Sequence, residues 1–149
     1  MNPPVIGTTG SDVNTTSGGR GARTGWRRGY VAVSAVLALA ILTQVFLAGA
    51  SLFAEPTWWP AHRMFGMMLS LGPVVLLALG FAARLPRRAL WLTGLLLVLV
   101  VLQPLLINVP EALGLPVLEG FHVVNAVVVF ALMAILGLGA WRIGGALTR

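Results

Sequence analysis

The chain has no cysteine. Disulfides, iron–sulfur clusters and thiolate metal sites are thereby excluded. Lysine is absent too, so the net charge of +6 rests on arginine alone. Charged residues make up 9% of the 149 positions, against about 25% in soluble domains. So few charges cannot cover a water-facing surface. With 58% hydrophobic residues, the chain reads as one polytopic membrane bundle in a lipid bilayer. A basic balance can serve nucleic-acid binding, but here the arginines flank apolar runs instead of forming a stripe, so nucleic acid is not expected as a partner. No glycine-rich phosphate loop or nucleophile–base arrangement occurs. Two histidines and three scattered glutamates do not make a zinc or di-iron set.

What is present is four apolar runs, approximately residues 30–53, 58–83, 89–109 and 117–140. Each is near or above the ~20 residues that cross a hydrocarbon core as a helix. This predicts an all-α, four-helix transmembrane bundle in up-down-up-down order over residues 26–149. Residues 1–25, rich in Gly, Thr, Ser and Asn, cannot bury enough surface to offset ordering entropy and are expected to be a disordered tail. Pro73 and Pro104 lie inside spans two and three and should kink them. Nine arginines fall on one side of the spans: Arg20, Arg23, Arg27, Arg28, Arg84, Arg87, Arg88, Arg142 and Arg149. The positive-inside rule makes that side cytoplasmic, with both termini on it. Ala48-Gly49-Ala50 would pass as a cleavage motif, but the first run exceeds a signal core and is expected to be retained. Trp26, Trp58 and Trp59 fit interfacial belts, and Met64, Met67, Met68 and Met133 read as apolar packing.

The chain has only two histidines, His62 and His122, each just inside the start of an even-numbered span. Both imidazoles should therefore lie at one membrane face. Gln44 precedes His62 by 18 residues and Gln103 precedes His122 by 19. Each pair falls in one out-and-back hairpin, which suggests two parallel hairpins related by an axis along the membrane normal. Such symmetry would aim both imidazoles at one central spot, where they could grip a haem iron from opposite sides. Gly66 follows His62 by one helical turn and lacks the side chain that would block a flat macrocycle. Ala126 holds the same place after His122, and Asn125 adds a polar group on that face. A ligating histidine must also fix its second ring nitrogen; backbone carbonyls, Glu55 and Glu119 are the candidates. Arg63 is the one arginine away from the basic side. It could pair with a haem propionate or snorkel as an anchor. Gln44 and Gln103 read as interhelical hydrogen-bond glue ahead of a quinone or substrate site.

The runs Gln44–Gly49, His62–Gly66, Leu102-Gln103 and Phe121–Ala126 resemble a family of small four-span bacterial membrane proteins of unknown function, over roughly residues 30–140. More distantly, the layout is similar to one four-helix half of haem A synthase and to four-helix b-type cytochromes. The resemblance implies His62 and His122 as axial ligands of haem b in a bacterial cytoplasmic membrane. It departs at Trp59, where the haem A synthase pattern has a glutamate, so it implies binding more than hydroxylation. Two axial histidines leave no open position for oxygen, and electron transfer with a redox partner is the expected role. The alternative is a non-enzymatic partner or scaffold subunit of a membrane complex, without cofactor.

Overall fold

Lipid offers no hydrogen-bond partners, so a chain of this composition must satisfy its backbone within helices. The computed structural model describes residues 15–145, with side chains described for 21–139. The elements are α1 (Thr15–Phe53), α2 (Trp59–Leu69), α3 (Gly72–Ala82), α4 (Arg87–Ala112) and α5 (Gly120–Gly145). Among the described residues there is no strand. Short 3₁₀ turns, Pro56–Trp58 and Pro116–Glu119, lead into α2 and α5. Four segments are long and apolar enough to span a membrane: Gly21–Phe53, Pro56–Ala82, Arg87–Ala112 and Pro116–Gly139. They match the four expected spans to within a few residues at most ends, and the four-helix bundle holds. The protein is thus an integral membrane protein by length and apolarity of its helices.

One boundary is corrected. Thr15 to Gly25, expected to belong to the disordered tail, are the first turns of α1. Adding a residue to a formed helix costs far less than nucleating one, and the apolar span supplies the nucleus. Residues 1–14 of that tail lie outside the described residues. At 39 residues, α1 is the longest helix and reaches about 58 Å, well beyond a ~30 Å hydrocarbon core.

The two internal prolines act differently. Span two breaks into α2 and α3 at Ser70-Leu71, just before Pro73, which has no N–H for the Leu69 carbonyl. The turn tightens there: Leu71 N–H reaches Met68 O at 3.3 Å and the Ser70 hydroxyl donates to Met67 O at 2.6 Å. In contrast, α4 runs through both Pro104 and Pro110 as one helix.

Packing follows a ring. α1 lies against α2, α3 and α5, while α4 lies against α3 and α5. The histidine-bearing helices α2 and α5 therefore occupy opposite corners. The inward stripe of α1 (Tyr30, Ser34, Leu37, Ile41) has three- and four-residue spacing and meets Leu76, Leu96 and Met133 in the core. Met133 packs as expected, but Met64, Met67 and Met68 face outward and are mostly exposed. So do Phe53, Trp91 and Val117; between 11% and 28% of each apolar window is buried inside the chain, so lipid must cover the rest.

Near the arginine-rich end, the Tyr30 hydroxyl bonds Thr93 Oγ1 at 2.8 Å in the buried interior. Thr93 already donates to Ala89 O at 2.9 Å, so Tyr30 is the donor. This bond ties α1 to α4 across the bundle. The same end closes at Arg84, which has φ 51° and terminates α3 with the Leu85 N–H on Gly80 O at 3.0 Å.

Two stability predictions follow from these contacts. A Cβ on Gly72 would collide with Leu37 Cδ2, so Gly72→Ala should lower stability by about 1–3 kcal/mol. Leu37→Ala should relieve part of that loss, giving a non-additive double-mutant cycle in detergent unfolding. Arg84→Gly should raise stability by about 1 kcal/mol, because a left-handed backbone suits glycine.

Candidate functional site

The site begins with two identical constructions. Pro56 and Pro116 each stand six residues before a histidine and open the 3₁₀ turn that feeds its helix. Proline suits a first turn because its missing N–H would be unpaired there anyway. His62 and His122 are then set about a turn inside α2 and α5, both half-buried.

Each imidazole is fixed by the preceding helix of its own hairpin. His62 Nδ1 lies 3.1 Å from the Gln44 carbonyl oxygen, and His122 Nδ1 lies 3.2 Å from that of Gln103. A carbonyl oxygen only accepts, so Nδ1 carries the proton in both rings and Nε2 holds the lone pair. The second-nitrogen partners are therefore backbone carbonyls. Glu55 instead accepts from Thr57 Oγ1 at 3.1 Å.

The glutamine side chains return the bond. Gln44 Nε2 donates to the His62 carbonyl at 2.9 Å and lies 3.3 Å from His62 Nε2. The Gln103 side-chain amide lies within 3.3 Å of the His122 carbonyl, His122 Nδ1 and the Ala126 N–H. The first hairpin is thus closed by a reciprocal glutamine–histidine pair, and the second brings the same two residue types together. The side chains expected to be glue do that work, and the weak sequence repeat has a structural counterpart.

The two rings meet. Their centres are 6.5 Å apart, with planes inclined at 68°. Both imidazoles therefore point inward from opposite corners to one region. Gly66 is needed for a nearer reason than a macrocycle: a Cβ there would come within 2.7 Å of Gln44 Nε2. Asn125 is buried and donates from Nδ2 to Leu99 O at 2.7 Å, tying α5 to α4 beside the site. Arg63, next to His62, is exposed. A cavity of about 350 Å³ lies where α2 parts from α4 beyond the helix break, lined by Gln44, His62, Arg63, Gly66, Gln103 and Pro104. Gln44 Oε1 is buried with no hydrogen-bond partner.

One contact was not foreseen. The Trp59 ring stands edge-on to His62, with centres 5.5 Å apart and planes at 90°. The only signal for it was position, since residues three apart share a helix face.

The donor set limits the chemistry. Among the described residues there is no cluster of three or more His, Cys, Asp or Glu able to hold a metal ion. Two imidazoles cannot enclose zinc, which takes three or four protein ligands.

Loss of either glutamine amide should loosen its hairpin. Gln44→Leu or Gln103→Leu is expected to cost about 0.6–1.7 kcal/mol each, the range for interhelical hydrogen bonds in lipid. Because both glutamines line one cavity and their histidine rings meet, the two losses should be non-additive in a detergent unfolding assay.

Comparison with known proteins agrees in part with the resemblance drawn from the sequence. The chain matches no curated protein and no solved structure. Residues 44–110 are similar to a family of unknown function, DUF6220, a stretch that takes in Gln44, His62 and Gln103 and stops short of His122.

Proposed function

We propose that this membrane protein binds haem b, with His62 and His122 as its two protein ligands, and that it carries electrons. The observation that carries this reading is the spacing of the imidazoles. Their ring centres stand 6.5 Å apart, a spacing at which both imidazoles could reach one iron. The Nδ1 bonds to Gln44 O and Gln103 O support it further, since a ligating histidine characteristically donates its other ring proton to a fixed acceptor. A two-imidazole set with no third protein ligand fits a macrocycle that brings its own equatorial nitrogens.

Around this pair the other residues take supporting parts. Arg63 lines the cavity beside His62 and offers a planar fork to a propionate. Gly66 and Ala126 seat the two glutamines, and Asn125 holds α5 in register. Haem supplies reversible one-electron transfer when bound, at a potential set by its axial ligands and apolar surroundings. The layout read from the sequence as similar to a haem A synthase half motivates the proposal. Trp59, in place of a glutamate, argues for binding without that enzyme's hydroxylation. Arginine placement supports a bacterial cytoplasmic membrane with both ends of the chain cytoplasmic. A membrane redox partner is then required on at least one side of the transfer.

The test is a spectrum. Full chain purified from cells with ample haem supply should show b-type bands in a reduced-minus-oxidised difference. His62→Ala and His122→Ala should each abolish them, while Arg63→Gln should weaken haem retention without removing the bands. A colourless wild-type protein overturns the proposal.

A further inference from the structure

At the end opposite the histidines lies a second and larger cavity, about 440 Å³, whose lining includes Tyr30, Leu85, Arg88, Ala89, Leu92 and Ile135. Its walls are α4 and α5, its back is Tyr30 of α1, and all but a small part of the lining is apolar. Arg88 is exposed, and Arg84 and Arg87 stand beside it in sequence. Arg27 precedes Tyr30 by three residues and shares its inward face of α1. Its Nε is buried with no hydrogen-bond partner. A buried guanidinium nitrogen without a partner is costly, and a nearby anion offsets part of that cost.

Among the described residues no carboxylate lies at this end. Of the chain's four acidic residues, Glu55, Glu111 and Glu119 lie at the histidine end, and Asp12 is outside the described residues. An anion from the surroundings would supply a counter-charge. An apolar cavity between spans, with cations where helices leave the hydrocarbon, is complementary to a molecule with an acyl chain and a negative head. We propose that this cavity is a binding site for one anionic glycerophospholipid. An acyl chain fills the space between α4 and α5, and the phosphate lies against Arg88. The site is independent of the histidine pair and stands whether or not haem binds.

Native mass spectrometry of the purified full chain tests this, with phosphatidylglycerol and phosphatidylcholine of the same acyl chains and glycerol 3-phosphate as the three probes. Phosphatidylglycerol should be retained over phosphatidylcholine, and glycerol 3-phosphate should not displace it. Arg88→Gln should lower retention about fivefold, the effect of one arginine beside an anionic lipid. The exposed Arg28→Gln, equal in charge, should leave retention unchanged. Ala89→Phe fills the cavity from one wall and Leu138→Phe from the other; each should reduce retention with the charge intact, and thermal unfolding of the same samples shows that the bundle is folded. Equal retention of the two lipids, an equal effect of Arg28→Gln, or no effect of either cavity-filling variant overturns the proposal. Full displacement by glycerol 3-phosphate overturns it too, by leaving an anion site without an acyl slot.

Discussion

In hydrocarbon, a polar side chain finds its partner within the chain or not at all. The reciprocal bond between glutamine and histidine is how this protein meets that constraint. In each hairpin the imidazole proton goes to a glutamine carbonyl, and in the first the glutamine amide returns to the histidine carbonyl. Much else around the rings follows. Gly66 is small so that Gln44 can approach α2. The Nδ1 atoms are committed, so the lone pairs fall on Nε2. The rings hold one orientation and meet at 6.5 Å.

The break before Pro73 has a complementary effect. A straight second span would run against the third along its whole length. Instead α3 stays on α4 while α2 diverges, and space opens beside His62. Backbone irregularity at membrane depth is tolerated where it lines a cavity, and that is where this one sits. The glycine ahead of the proline lets α3 close on Leu37, so divergence above and close packing below come from adjacent residues.

Much of this was legible in the sequence. Spans could be read because bilayer thickness imposes a length on apolar runs, and an unbroken apolar run of that length satisfies its backbone in lipid as a helix. The histidines stood out because there are two of them at matching depth, and their meeting followed once a hairpin repeat was suspected from Gln44 and Gln103. Other features left no trace. Backbone carbonyls accept hydrogen bonds at every position alike, so nothing in the residue types chose them over Glu55 or Glu119. The bond from Tyr30 to Thr93 joins residues 63 positions apart and depends on the rotation of two helices about their axes. The helical start at Thr15 arises from propagation out of the apolar span, which local composition does not reveal. Outward-facing Met64, Met67 and Met68 look the same in sequence as the buried Met133.

The near-equivalence of the hairpins reaches beyond this chain. Each carries a complete unit: a glutamine on the outgoing helix, a proline-opened turn, and an imidazole on the return. A peptide of half the length, dimerising about a two-fold axis, would already place two such rings across a common centre. Fusing the halves would then free each copy to diverge, as glycine against alanine beneath the glutamines and a broken span against a continuous one now show.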